Sequence, residues 1–195
     1  MPISILDPVT ALVLIDLQKG IVALPTAHAA PEIVARCRQL ADAFRAQALP
    51  VVLVNVAGAA PGRAEQVRKA SGNAPDWAEL VADLGRQGSD HAVTKRTWGA
   101  FTGTGLDAYL RGRGVSHVVI AGIATSIGVE STARQAHELG YNVSLAVDAM
   151  TDTNADAHHN SVTRIFPRLG ETGTAGEIIA RLASRSAGAL PAQKS

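Results

Sequence analysis

The stretch AGIATSIGVESTARQAHELGYNVSLAVDA, residues 121–149, decides the fold class because it combines two kinds of apolar pattern. The apolar run HVVIAG leads into it, apolar residues at helical spacing occupy 128–140, and the apolar run NVSLAVD ends it. Short apolar runs on either side of a helical segment are typical of parallel strands that are buried on both faces. We therefore expect a strand, a helix and a second strand here, as in α/β proteins.

The same alternation continues along the rest of the chain. Three more strand-like runs are TALVLID, PVVLVNV and HAVTK. Helical patterns are found at 31–48, 76–85, 104–113, 128–140, 154–168 and 175–184. This alternation predicts a parallel sheet that is covered by helices on both faces.

In a sheet of this kind a ligand binds beyond the carboxyl ends of the strands. Five polar or glycine residues lie at or just past the predicted ends: Asp16, Asn55, Lys95, Gly122 and Asp148. Their convergence predicts one site for a small-molecule substrate at this edge. The connection 57–75 is rich in Gly, Ala and Pro, and we expect it to cross the mouth of that site as a lid.

Length and composition indicate one globular domain. The chain has 195 residues, of which 47% are hydrophobic and 18% charged, and we expect a domain over 1–185 and a flexible tail over 186–195. The net charge of +1, with Lys and Arg scattered, argues against a nucleic-acid partner. The first apolar run is interrupted by Asp16 and has no basic segment before it, so we predict neither a signal peptide nor a membrane span, and a cytoplasmic location.

The single cysteine, Cys37, excludes an intrachain disulfide. It lies on the apolar face of the helical pattern 31–48, together with residues such as Ile33 and Phe44. Free cysteines in such positions behave as small hydrophobic side chains, so we expect a buried structural thiol and not a nucleophile.

Residues 121–149 resemble the isochorismatase-like (cysteine hydrolase) family, whose usual pattern is G-[VI]-A-T-x-x-C-V-E-x-T-A-R-x-A followed by a strand that ends in Asp-Ala. Gly128 stands where the resemblance places the catalytic cysteine, while Asp16 in VLIDLQ and Lys95 in VTKRTWGAF match two further family positions. The resemblance covers residues 8–184. It implies a three-layer α/β/α fold with a mainly parallel, Rossmann-like six-stranded sheet, and a homo-oligomer, either a dimer or a tetramer.

The resemblance also implies roles for individual residues. Asp16 matches the family's general acid/base, with Gln18 two residues on in a D-x-Q spacing and Lys95 beside it. A cis peptide is implied at Ile123–Ala124. The backbone at Ala124 and Gly128 is expected to hold an oxyanion, because N–H groups at the start of a helix favour negative charge.

Other candidates come from the residues around these positions. Trp98 and Phe101 follow Lys95 and are expected to wall the substrate pocket, since aromatic walls are typical of small-molecule sites; core packing is the alternative for Phe101. Thr125 is expected to contact substrate. Asp148 is expected to order a loop.

Neither a metal nor another cofactor is expected. The segment NVAGAAPGR after the second strand lacks the Asp-x-His group of the metal-binding nicotinamidases, and no phosphate-cradling glycine motif is present. His158 and His159 are adjacent on a predicted helix and point about 100° apart, so they cannot both face one metal ion. We expect them at a helix surface or an interface.

Three functions are compatible with this pattern. The leading hypothesis is a hydrolase without the cysteine in which Asp16 protonates a vinyl ether, as in isochorismatases proper. The second is a slow C–N hydrolase in which Asp16 activates water without covalent catalysis. The third is a non-catalytic member that binds a ligand in the retained pocket.

Overall fold

The protein was analysed as a computed structural model, which describes residues 3–65 and 74–187. Six parallel strands form one sheet in the order β3-β2-β1-β4-β5-β6. They are β1 (Thr10–Ile15), β2 (Val51–Val56), β3 (His91–Lys95), β4 (His117–Ile123), β5 (Asn142–Thr151) and β6 (Glu171–Gly173). The predicted six-stranded α/β fold is confirmed, although the apolar pattern indicates only five of the strands, because the three residues of β6, ETG, form no apolar run.

Seven α-helices connect these strands within the described residues. They are α1 (Lys19–Val22), α2 (Ala30–Ala46), α3 (Leu106–Gly112), α4 (Glu130–Glu138), α5 (Ala155–Asn160), α6 (Phe166–Leu169) and α7 (Ala175–Ala187). A turn of π-helix at Thr125–Val129 leads into α4, and a second at Ser161–Ile165 joins α5 to α6. Five of the six predicted helices are therefore present.

The predicted helix over 76–85 is wrong. This segment forms turns and a short 3₁₀ turn, Ala82–Leu84, because its backbone pairs with the chain that follows β1. The N–H of Lys19 donates to the carbonyl of Glu79 (2.8 Å), and the N–H of Val81 donates to the carbonyl of Leu17 (3.0 Å). Tertiary hydrogen bonds thus override the local helical pattern.

The sheet separates two apolar cores. One lies under α2 and α7 and contains Leu12, Leu14, Phe44 and Ile178; the other lies under α3, α4 and α6. The side chains of β1 alternate between the two cores, and all six are buried, as expected for a central parallel strand. Cys37 lies in the first core, where burial raises the pKa of its thiol, so the predicted buried thiol is confirmed.

Two predicted segments lie partly outside the described residues. Residues 57–65 of the proposed lid form an exposed loop, and 66–73 lie outside the description. Helix α7 continues to Ala187, so it includes the first two residues of the predicted tail, and 188–195 are not described. In the part of the chain that is described, no helix is long and apolar enough to cross a membrane.

Candidate active site

Asp16 and Lys95 meet at the carboxyl edge of the sheet. Asp16 directly follows β1 and has a positive φ of 53°, a conformation that Asp adopts more readily than most residues. Lys95 ends β3, two strands away, and its Nζ donates to Asp16 Oδ2 at 2.7 Å and to the carbonyl of Thr97 at 3.2 Å. The two residues are 5% and 2% exposed, so this is a buried ion pair.

Gly128 faces this ion pair across a short gap. A Cβ atom added to Gly128 would lie 3.2 Å from Asp16 Oδ2, 3.6 Å from Lys95 Nζ and 2.9 Å from Cγ2 of Ile15. Any side chain at position 128 would therefore point at the ion pair. Glycine leaves that space open.

These three residues form the floor of a small enclosed pocket of about 60 Å³. Ala124 and Ile127 from the loop after β4 form one wall. Trp98, which is 56% exposed, lines the mouth. A water molecule needs roughly 10–15 Å³ of such space, so the pocket holds a few waters or one small functional group, and a larger ligand would extend past Trp98.

Three of the four predicted substrate-binding residues, Gln18, Phe101 and Thr125, do not line this pocket. Gln18 is completely buried, and its side-chain amide donates to the carbonyl of Val56 (3.0 Å) and accepts from the N–H of Val56 (2.7 Å). It therefore joins the end of β1 to the end of β2. Phe101 packs against the second core, with its ring 5.8 Å from that of Tyr141, which corresponds to the core-packing alternative.

Thr125 also faces away from the pocket. Its side chain is buried, and its Oγ1 lies 2.8 Å from Nδ1 of His158 on α5. The ring of His158 is in edge contact with that of His28, at 4.8 Å between centroids. Burial, and then the charge of His28, lower the pKa of His158.

Of the two histidines expected at a helix surface or an interface, His159 is exposed, while His158 is half-buried and its ring faces His28. The 100° between adjacent helical residues turns one ring inward and the other outward. The sequence offers no signal for the contact with His28, which lies on a loop 130 residues away.

Asp148 is not at a strand end, contrary to prediction, because β5 continues to Thr151. Its Oδ1 accepts from the N–H of Ala175 at the start of α7 (2.7 Å). The loop after β4 is held instead by Asp152, whose Oδ2 accepts from the N–H (2.7 Å) and the hydroxyl (2.8 Å) of Ser126. Strand β5 is longer than the motif suggests, and its pairing with β4 shifts register between Ile120 and Gly122 of β4.

Two further candidates at strand ends, Asn55 and Gly122, contact neighbouring segments of the fold and not the pocket. Asn55 lies near the end of β2, but its side chain donates to the carbonyl of Ala78 (2.8 Å) and accepts from the hydroxyl of Thr94 (2.7 Å), outside the pocket. Gly122, with a φ of 122°, lets β4 approach β1, since a Cβ atom there would lie 2.1 Å from a backbone oxygen.

The 124–128 loop begins at a cis peptide, while the oxyanion role expected of Ala124 and Gly128 stays a prediction. The peptide Ile123–Ala124 is cis, and the carbonyl of Ala124 accepts from the N–H groups of Ile127 (3.2 Å) and Val129 (3.1 Å).

Among the residues that the structure describes, no group of three His, Cys, Asp or Glu side chains is arranged to hold a metal ion.

Comparison with known proteins assigns the family. Residues 10–177 match the model of the Isochorismatase domain. The uncharacterized isochorismatase family protein YwoC of Bacillus subtilis (strain 168) is 45% identical over 177 residues, which cover 87% of this chain and 92% of the relative. The uncharacterized isochorismatase family protein YecD of Escherichia coli O157:H7 is 44% identical over 179 residues, covering 87% and 94%.

A solved structure is similarly close. An isochorismatase family protein from Burkholderia thailandensis superimposes with a TM-score of 0.88 at 44% identity, covering 92% of this chain and 98% of that one. Sequence, fold and topology thus agree over nearly the whole chain. This protein belongs to the isochorismatase family and has the family's hydrolase fold.

Proposed function

We propose that the protein hydrolyses a small molecule by general acid/base chemistry at Asp16, without a thiol nucleophile, in a reaction of the vinyl-ether type. The observation that carries the proposal is the buried contact of 2.7 Å between Asp16 and Lys95 opposite Gly128. The motif places the family's cysteine at this glycine. A reaction that forms no covalent intermediate needs the carboxyl group and the open space, and both are present.

The proposed reaction consists of protonation, addition of water and breakdown of the adduct. The Asp16–Lys95 ion pair first takes up one proton from solvent, which converts Asp16 to its acid form. Asp16 then gives that proton to the terminal carbon of the enol ether, and the ether carbon becomes an oxocarbenium ion. Water adds to that carbon while the Asp16 carboxylate takes up its proton, which regenerates the acid. The resulting hemiketal breaks down to a ketone and an alcohol, so one water is consumed.

Lys95 has a positioning and electrostatic role in this proposal. Its bonds to Asp16 Oδ2 and to the carbonyl of Thr97 hold the carboxyl group in one orientation beneath the pocket. Its charge also stabilises the carboxylate that forms after protonation of the substrate. Ile127 and Trp98 supply apolar surface beside the reacting group.

The test is turnover of small enol ethers of pyruvate, beside a matched set of amides, in D₂O. We expect a keto acid with a single deuterium in its methyl group, because protonation of the vinyl carbon introduces one solvent proton. Asp16→Asn should lower kcat by about 10²- to 10⁴-fold. Asp83→Asn, on an exposed turn, is the matched control and should leave kcat unchanged.

The other two hypotheses are outcomes of the same experiment. Ammonia release from amides without turnover of enol ethers would overturn the proposal in favour of a C–N hydrolase. Saturable binding of either compound set without any turnover would overturn it in favour of a non-catalytic ligand-binding protein.

A further inference from the structure

Asp152 is a buried residue outside the pocket whose side chain and backbone carbonyl together contact three segments of the pocket wall. It directly follows β5 and is 2% exposed. Its Oδ2 accepts from the N–H and the hydroxyl of Ser126, at 2.7 and 2.8 Å, and its Oδ1 accepts from the N–H of Asn154 at 3.1 Å. Its backbone carbonyl accepts from the N–H of Ala27 at 2.8 Å.

Each of the three segments contributes to the pocket. Ser126 belongs to the loop that carries Ala124 and Gly128, Ala27 follows Leu24, and Thr153 is the residue after Asp152; Ala124, Gly128, Leu24 and Thr153 all line the pocket. Asp152 itself is not among the residues that line it. It therefore acts on the pocket only through the backbone that it holds.

A carboxylate is well suited to this task. Hydrogen bonds from backbone N–H groups to an ionised acceptor are roughly twice as strong as neutral ones, and two oxygens can accept from separate segments at once. Burial adds to the effect, because a donor that loses its buried acceptor is left unsatisfied. Displacement of the Ser126 segment would move Gly128 relative to Asp16 and Lys95, and reacting groups tolerate little displacement.

We propose that Asp152 is a positioning residue of the active site, whose carboxylate sets the distance between the 124–128 loop and the Asp16–Lys95 pair. The inference takes from the proposed function only that this pocket is the reacting site. It assigns Asp152 no proton transfer and no contact with substrate.

The first measurement is hydrogen–deuterium exchange of the backbone, compared between wild type, Asp152→Asn and Asp148→Asn. The second variant is a matched control, because Asp148 lies four residues earlier, within β5, and also holds one segment, the start of α7, by a bond of 2.7 Å. With Asp152→Asn we expect exchange to rise by about tenfold in peptides that cover 123–129, whereas 24–28, held by the backbone carbonyl of residue 152, should change little. With Asp148→Asn the rise should be confined to peptides around residue 175.

The second measurement is chemical. In protein that carries Gly128→Cys, the pH profile of alkylation by iodoacetamide reports how the introduced thiol lies against Asp16 and Lys95. Adding Asp152→Asn should lower the rate at neutral pH by about tenfold, whereas adding Asp148→Asn should leave the profile unchanged even if both lower the melting temperature. Ser126→Ala, which removes one of the two donors to Oδ2, should give a smaller decrease.

The inference is overturned if Asp152→Asn leaves exchange over 123–129 at the wild-type rate, or if the two Asp→Asn variants change the loop equally, since the role would then be general stability. Neither measurement needs a substrate. A protein that turns over no enol ether but shows the expected exchange pattern would refute the proposed function and support the positioning role. A protein that turns over enol ethers but lacks that exchange pattern would support the proposed function and refute the positioning role.

Discussion

Two buried ion pairs lie at opposite ends of β3, and they differ in geometry. Before the strand, Arg45 donates two hydrogen bonds to Asp90, from Nε to Oδ1 at 3.1 Å and from Nη2 to Oδ2 at 2.6 Å. Asp90 also accepts from the N–H of Gln87 at 2.7 Å. After the strand, Lys95 makes a single contact of 2.7 Å with Asp16. The Arg45 and Asp90 side chains are 9% and 1% exposed, comparable to the second pair.

The difference shows why burial and charge alone do not identify a reacting group. The planar guanidinium of Arg45 matches the Asp90 carboxylate in a fixed fork, which anchors α2 to the start of β3. The ammonium of Lys95 is a point charge beside a pocket, and Asp16 faces the space above Gly128. The first arrangement is suited to stability, whereas in the second the carboxyl group faces a pocket, and the proposed function of Asp16 rests on that position.

The largest expected effect distinguishes the two pairs by activity. Asp16→Asn should lower kcat on the enol ether by about 10³-fold, because the acid is lost, while Asp90→Asn should leave kcat within about twofold of wild type. Steady-state kinetics of both variants, with folding checked by circular dichroism, is the measurement. Equal losses of kcat in the two variants would contradict the distinction.

The second prediction concerns stability. Asp90→Ala removes one partner of the buried fork and should lower the free energy of unfolding by about 3 kcal/mol, since the guanidinium of Arg45 then retains, among the described residues, its bond to Asp42 at 2.8 Å. Urea denaturation measures this loss. Asp83→Ala, an exposed position, is the control and should change stability by less than about 0.5 kcal/mol. A loss from Asp90→Ala as small as the control's would show that the fork contributes little.

The third prediction places a thiol beside the Asp16–Lys95 pair. Gly128→Cys should give a thiol that iodoacetamide alkylates about tenfold faster at pH 7 than a model thiol, because Asp16 can take its proton and Lys95 stabilises the thiolate. The gap of 2.9 Å to Ile15 requires a small shift of that side chain. Cys37, buried and with a raised pKa, should remain unmodified and serves as the internal control. A rate no faster than that of the model thiol, in folded protein, would contradict the electrostatics proposed for this pocket.

The fourth prediction uses a buried histidine at the end of the sheet opposite the pocket. Burial lowers the pKa of His117, although Asp7, 3.7 Å away, partly offsets this, and its Nε2 lies 2.9 Å from the hydroxyl of Ser144. The unfolded chain therefore binds a proton more readily than the folded one. The contribution of His117 to stability is complete above its ordinary pKa of about 6.5 and is lost as the pH falls below that value, by at most about 1.4 kcal/mol per pH unit.

Denaturation of wild type and His117→Gln between pH 7.5 and 5 tests this prediction. His91 and His158 also have lowered pKa values and act with the same sign, so only the difference between the two proteins reports on His117. The slope should be shallower in the variant. Parallel slopes would be the contrary result.

The smallest expected effect comes from an exposed ion pair. Arg134 and Glu130 are one turn apart on α4, with Nε and Oε1 at 3.0 Å, and the arginine is half-exposed. Arg134→Ala should lower stability by no more than about 0.5 kcal/mol, because water and salt screen the pair. A loss near that of Asp90→Ala would remove the distinction between buried and exposed pairs.

Much of the fold follows from local pattern. The apolar runs and helical spacings locate five strands and five helices, because a central parallel strand must be apolar on both faces and a covering helix on one. The positions of Asp16 and Lys95 at strand ends follow too, since parallel strands bring their carboxyl ends to one edge. The role of Gly128 as the replacement of a catalytic cysteine stays a prediction, as does the homo-oligomer.

Only the tertiary structure decided which polar groups face the pocket. Gln18 and Asp148 carry the expected motif spacings, but their hydrogen bonds are to Val56 and Ala175. Asp152 belongs to none of the motifs quoted for the sequence, yet its side chain holds the loop that lines the site. The direction of a side chain at a strand end depends on where the strand stops and which distant donors reach it, and neither is encoded within a few residues of the chain. Sequence pattern by itself therefore determined the edge at which the site lies, while long-range hydrogen bonding decided which of its residues face the pocket.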